Sequence, residues 1–284
     1  LPDYDYLIVD EAHHLEEATT HALSFHITQG EIDRALRELG GPNSGAFGRM
    51  LTILQDLLAP SDFAAVNHLV QQATNYTFNF ENLVREFFTA VDGFLLELRE
   101  GRPVGVYAHQ ERILPATRTL PAWTQVEMAW DEAGQSLRPL VEILGQIVEG
   151  LGNMTDSLPE EGPEVFSNIS NLFRRFTELH DNLEALVFKP AADRIYWAES
   201  NPNGKRLSLH AAPLHVGPLM EQYLWHEKTS VILTSATLTA AGEFDYIRGR
   251  LYAADADELS LGSPFDFESA ALLYIPNDIP EPSE

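Results

Sequence analysis

Cysteine is absent from all 284 residues, which excludes disulfides, thiolate zinc sites and iron–sulfur ligation within this stretch. No apolar run approaches the roughly 20 residues that a membrane helix requires, so no membrane partner and a reducing, cytoplasmic setting are expected. Basic residues are scarce: 18 Lys and Arg against 43 Asp and Glu leave a formal net charge of −25. A surface of that sign repels polyphosphates unless its few cations cluster. The densest pairs in sequence are only Arg174–Arg175 and Lys205–Arg206. A phosphate-binding loop is missing too: the one Gly-Lys step, Gly204–Lys205, lacks the upstream Gly and runs into Arg206. Residue 1 is Leu rather than Met, so the chain is expected to begin inside a longer protein.

What is present suits a globular fold, with 44% hydrophobic and 21% charged residues. Residues 4–9 are short, apolar and β-branched, and predict a buried strand. From residue 29 to 188 the apolar spacing turns helical. TQGEIDRALRELGG places Ile32, Leu36 and Leu39 on one face and stops on a Gly pair. The next helix is predicted to start at a Ser61 cap and to carry Phe80, Val84, Phe87, Val91, Leu95 and Leu98. A third, 122–151, runs Ala133, Leu137, Leu140, Leu144, Ile147, Leu151, with Pro139 expected to kink or split it. A fourth, 163–188, repeats the device with Ile169, Leu172, Phe176, Leu179, Leu183 and Leu186. Narrow stripes of this kind predict long helices packed in a bundle.

Beyond residue 190 the pattern changes. RIYWAES and RLSLHAAPL bracket the turn signal NPNG and predict a β-hairpin. A helix is expected over 216–227, a second buried strand at 230–234, a short helix at 243–251 and a last strand in ALLYIP, 271–276.

The chemistry concentrates where the first strand ends, in DYDYLIVDEAHHLEE (3–17). Carboxylates at the C-terminal end of a buried parallel strand stand where open α/β sheets hold their ligands. Asp10 suits a metal-facing role on Mg²⁺, through water, and Glu11 a water-facing one. Two blander readings compete: an acidic helix cap without catalysis, and a metal stripe of His13, Glu17 and His21 at helical spacing.

Taken together, LIVDEAHHL (7–15) and SVILTSATL (230–238) resemble motifs II and III of superfamily 2 helicases. The helical block between them is similar in layout to the arch domain of the XPD/DinG group. SPFDF (263–267) resembles the entry into the second motor domain of DinG-type helicases. The resemblance implies an α/β RecA-like motor-domain fragment with parallel strands and a large, mostly α-helical arch insertion. The implied domains are 1–28 (motif II strand and helix), 29–190 (arch), 191–242 (return to the first motor domain) and 243–284 (start of the second). It implies Asp10 as the Mg²⁺-associated acid and Glu11 as the water-orienting one. His13 with Thr234, Ser235 and Thr237 would couple nucleotide state to strand movement.

ATP and Mg²⁺ are the implied cofactors, single-stranded or forked DNA the implied partner, and a monomer the implied state. The phosphate loop should precede residue 1 and the arginine motifs follow residue 284. An upstream iron–sulfur cluster cannot be assigned from this stretch. The chain alone is expected to be inactive. A non-catalytic arch module for protein docking or DNA clamping is the alternative; a nuclease-linked variant is a weaker third. Tyr76, Phe78 and Phe80 read as core before they read as a base-stacking set, and Arg174–Arg175 and Arg99/Arg102 as solvated faces.

Overall fold

The computed structural model of the protein describes residues 3–102, 105, 108–154, 157–201 and 207–275. The chain opens with β1 (Tyr6–Val9), a tight turn at Ala12–His14, α1 (Leu15–Ala22) and β2 (Phe25–Thr28). Then come α2 (Gln29–Leu39), α3 (Gly45–Leu57), α4 (Pro60–Leu98) and β3 (His109–Arg112). Two long helices follow, α5 (Trp123–Gly152) and α6 (Gly162–Val187), and then β4 (Arg194–Ser200) and β5 (Leu207–Pro213). The remainder holds α7 (Gly217–Met220), a wide π turn at Glu221–Trp225, β6 (Ser230–Leu233), α8 (Asp245–Leu251) and α9 (Phe267–Ala270). These elements form two compact units, residues 14–216 and residues 1–13 with 217–284.

In the unit 14–216, α2 starts on a reciprocal cap. The Glu31 carboxylate accepts from the Thr28 N–H at 2.8 Å, and the Thr28 hydroxyl accepts from the Glu31 N–H at 3.3 Å. This satisfies donors that the first turn leaves free. The helix ends on Gly40, whose φ of 70° and crowded site, with an added Cβ 2.3 Å from the Ser44 carbonyl, admit only glycine. α4 begins with Pro60 at its first turn behind Ala59, so the expected Ser61 cap is replaced by a proline start. Its 39 residues reach roughly 58 Å at 1.5 Å per residue.

α5 packs against both α4 and α6. Every apolar residue named for α5 and α6 is buried, and for α4 all but Leu98, which lies 37% exposed at the helix end. Phe80 is in the core, whereas Phe78 is 67% exposed. Pro139 neither splits α5 nor ends it: the helix runs unbroken through it. Proline removes the bond to the Gln135 carbonyl, but Leu137, Leu140 and Leu144, all fully buried, hold both sides of the gap between neighbouring helices. Aromatic pairs fill the centre, Phe87 with Trp130 at 5.3 Å and Phe94 edge-on to Trp123 at 5.0 Å.

The unit 14–216 also contains two strands, β2 and β3, that the apolar spacing did not announce. β4 and β5 form the expected hairpin, and β2 and β3 add to its two edges, giving an antiparallel sheet in the order β2-β5-β4-β3. The NPNG turn itself lies largely outside the described residues. Arg118 ties this sheet to the end of α6. Its guanidinium donates twice to the Leu186 carbonyl, at 2.9 and 2.7 Å, and once to that of Ile113 at 3.1 Å. A cation on the last carbonyls of a helix is favourable in its own right.

In the unit 1–13 with 217–284, β1 and β6 pair in parallel, Tyr6 opposite Ser230 through Val9 opposite Leu233. The expectation of fully buried strands is corrected here: Tyr6 and Ile8 are 71% and 69% exposed. Side chains alternate between the two faces of a sheet, and within this unit one face of the pair stays uncovered. The helix expected over 216–227 is present as α7 followed by the π turn, and Trp225 Nε1 donates to the Leu251 carbonyl at 2.7 Å. No strand forms over 271–275; Leu272 to Ile275 are 69–92% exposed, and a strand exists only where a neighbour takes its backbone hydrogen bonds. Pro276 lies outside the described residues.

Candidate nucleotide-site edge

Because β1 and β6 run parallel, their C-terminal ends finish at the same edge. The ladder extends past both strands: the Thr234 N–H donates to the Val9 carbonyl at 2.9 Å, and the Ala12 N–H to the Thr234 carbonyl at 2.9 Å. Asp10 and Glu11 are thereby clasped against residues 234–235 by backbone alone. Between them Glu11 adopts a left-handed φ of 51°, a conformation that costs a side-chain-bearing residue on the order of 1 kcal/mol and recurs at functional sites. It turns the chain sharply out of the strand, and Ala12 tucks in, 1% exposed.

The side chains complete the clasp. The Thr234 hydroxyl donates to Asp10 Oδ1 at 2.6 Å, and the Ser235 hydroxyl to Glu11 Oε2 at 3.0 Å. His13 Nδ1 stands 2.8 Å from Ser235 Oγ and 3.2 Å from Glu11 Oε2, closing a triangle. Thr237 joins through its N–H, which donates to Ser235 Oγ at 3.2 Å. All six residues named from the sequence therefore meet at one edge, across more than 220 positions of chain. The Thr234 hydroxyl, helped by the Glu11 N–H, holds the Asp10 carboxyl below the usual aspartate value, so it stays ionised.

The carboxylate and hydroxyl oxygens around the ionised Asp10, at an exposed edge, suit a hard cation such as Mg²⁺. The rival stripe of His13, Glu17 and His21 is not assembled. His13 belongs to the tight turn before α1, so helical spacing does not run through it, and the Glu17 carboxylate pairs instead with His14 at 3.8 Å. Among the described residues no group of three or more His, Asp or Glu could hold a metal ion by itself.

Sequence reasoning passed over Lys228. Its ammonium donates to the Tyr4 carbonyl at 3.0 Å and lies 4.0 Å over the Tyr4 ring, tying the start of β1 to the segment before β6. A lone Lys ahead of a strand carries no signal of that partner.

No protein-family model matches the chain. Its sequence is 23% identical to the 3'-5' exonuclease DinG of Bacillus subtilis, over 98% of this chain and 30% of that protein. It is 30% identical to the ATP-dependent DNA helicase DinG of Photobacterium profundum, over 55% of this chain and 24% of that protein. It is also 30% identical to the ATP-dependent DNA helicase YoaA of Escherichia coli, over 39% and 17% respectively. The chain thus spans less than a third of the length of these relatives. Among the described residues no helix is long and apolar enough to cross a membrane.

Proposed function

We propose, from the premise that this chain is homologous to the DinG-type helicases, that it is the central segment of an ATP-dependent DNA helicase motor. In this reading residues 1–13 with 217–242 belong to a RecA-like first motor domain. That is a smaller share than the expected 1–28 and 191–242, because β2 and the β4–β5 hairpin form one sheet within the unit 14–216. The compact unit 14–216 is the arch insertion, and residues 243–284 lead into the second motor domain. The exposed face of β1 and β6 supports it. Two parallel strands alone are not an independently stable sheet, and parallel sheets in stable domains are covered on both faces.

The observation that carries the proposal is the pair of bonds from Thr234 to Asp10 and from Ser235 to Glu11 at one sheet edge. Bound Mg²⁺ would neutralise charge on the transferring phosphate oxygens. Asp10 would hold it through water, its charge kept by the Thr234 hydroxyl. Glu11 would orient the attacking water and accept its proton. Glu11 shares Ser235 with His13, so any change in where Glu11 points is felt by the segment that follows β6. That gives a route from ATP state to strand movement along single-stranded DNA.

The test is steady-state ATPase with single-stranded DNA, beside equilibrium nucleotide binding, on the full-length protein. Glu11→Gln should retain Mg·ATP binding and lose about 10²–10⁴-fold in turnover, the usual cost of a lost base. Asp10→Asn should weaken the metal-dependent part of binding instead. The 284-residue chain, which has no phosphate loop in its sequence, should show neither. Wild-type turnover in Glu11→Gln would remove Glu11 from the mechanism.

A further inference from the structure

The longest run of the chain without Asp, Glu, Lys or Arg is FAAVNHLVQQATNYTFNF, residues 63–80, in a sequence whose charged share is 21%. It lies in the N-terminal half of α4. Along it and just beyond, Ala64, His68, Gln71, Asn75, Phe78 and Asn82 follow at steps of four and three, and all are exposed. Residues so spaced share one face of a helix. That face runs roughly 27 Å at 1.5 Å per residue. Farther along α4, Arg85 and Glu86 bring charge back to the exposed side.

The uncharged face differs from an ordinary solvated one. Exposed helix positions are best filled by Ala, Glu, Lys, Gln and Arg, and Asn is a weaker helix former. Here Asn75, Asn79 and Asn82 flank Phe78, which is 67% exposed. Of the three rings in NYTFNF, Phe80 lies in the core and Tyr76 packs partly buried against it, so Phe78 alone turns outward. The amides around it are unspent. Among the described residues the side chains of Gln71, Gln72, Asn75 and Asn79 make no hydrogen bond, and Asn82 uses one N–H on the Phe78 carbonyl at 3.2 Å.

One ring among free amides is too little apolar surface for a protein seam, whose centre draws on several buried anchors. It matches a nucleobase, which offers a π-face for stacking and an edge of donors and acceptors for Asn or Gln. The missing carboxylates matter as well. At a net charge of −25 most of the surface repels a polyanion, and this face adds nothing to that repulsion. We propose that the Phe78 face of α4 contacts single-stranded DNA through its bases, one base stacked on Phe78 and base edges meeting the amides of Gln71, Asn75 and Asn79. The identity of the polymer rests on the helicase reading. With no Lys or Arg on the face, the contact is weak and depends little on salt, which suits a strand that must slide past.

The experiment titrates the 284-residue chain with labelled oligo-dT and with an abasic strand of equal length, by fluorescence anisotropy at low and moderate salt. Oligo-dT should bind about tenfold more tightly than the abasic strand. Phe78→Ala should erase that preference at both salt concentrations, and Phe78→Trp should keep it. Phe78 is mostly exposed, so the Ala variant should melt with the wild type. Asn79→Asp should also weaken oligo-dT, by setting a carboxylate against the phosphates. Equal binding of the two strands, binding of neither, or a preference that survives Phe78→Ala overturns the proposal. Self-association that Phe78→Ala abolishes, without a preference for oligo-dT, assigns the face to a second copy of the chain and overturns it too. The Glu11→Gln ATPase test reads a different side chain in a different assay, so the helicase reading stands or falls separately.

Discussion

Ser235 is the side chain that links the Asp10–Glu11 edge to its neighbours. It donates to Glu11 and stands beside His13, and its oxygen accepts from the Thr237 N–H. A hydroxyl has one proton and two lone pairs, so it can serve all three neighbours at once only if His13 Nδ1 carries a hydrogen. Ser235→Ala removes that hub and leaves both carboxylates of the edge in place. In the full-length protein it should therefore reduce ATP turnover less than Glu11→Gln does, while lowering the duplex unwound per ATP consumed. Parallel ATPase and strand-separation assays measure the ratio. An unchanged ratio would confine Ser235 to a packing role. The left-handed Glu11 was not legible in the sequence, because nothing in a DEAH run marks one residue for positive φ. The identity of the residues was legible there, and the conformation that aims them was not.

Among the elements, α5 and α6 carry the stability of the unit 14–216. Leu144 is fully buried and Phe176 is 1% exposed. Leu144→Ala should cost about 2–5 kcal/mol and Phe176→Ala about 3–5 kcal/mol, read from denaturant melts. The four-stranded sheet should respond to pH instead. His210 stacks on Trp197 at 4.7 Å and faces His26 across β2 and β5, also at 4.7 Å, with Ser208 Oγ 2.8 Å from its Nε2. Burial, then the neighbouring His26, pushes the His210 imidazole below its ordinary value, against a smaller upward pull from Glu199 and Glu31.

The folded state thus prefers neutral His210 and takes up its proton later than the unfolded chain does. Stability from this group is complete above the unfolded value near 6.5 and falls as pH drops through it, levelling once the folded imidazole has also protonated. Melting temperature should fall between about pH 7.5 and 5.5, and His210→Gln should flatten that part of the profile. An equal slope in the variant would assign the effect elsewhere.

For the whole molecule, the two units differ in how they are built. The main core, from Ile27 to Ala211, lies wholly within residues 14–216. The other unit joins the two ends of the chain through a two-stranded sheet, and its residues 259–275 include Leu261, Leu272 and Leu273 at 79–92% exposure. Limited proteolysis should cut first within about 252–275, where opening costs least, and leave a resistant fragment close to residues 14–216. Hydrogen exchange should be slowest in α4, α5 and α6. Early cleavage within α5 would contradict this order of stabilities.

The sequence by itself determined the helical stripes and the six residues that meet at the Asp10–Ser235 edge, whereas the parallel pairing of β1 and β6 was implied only by the resemblance. The stripes and those residues are written locally: apolar spacing of three and four for Leu137 or Phe176, a short β-branched run ending in Asp10 and Glu11, hydroxyls after Leu233. Tertiary structure alone decided the rest. β3 reads HQER and β2 reads FHIT, too short and too polar to announce themselves, and both are strands because the β4–β5 hairpin offers open edges to pair with. The run 271–275 is apolar enough for a strand, and without a hydrogen-bonding neighbour it is none. Arg175 and Arg194 line one cavity only because the start of β4 lies against α6, where Arg194 donates to Asn182. Side-chain periodicity is a property of neighbours in sequence, whereas backbone pairing and converging charges belong to neighbours in space.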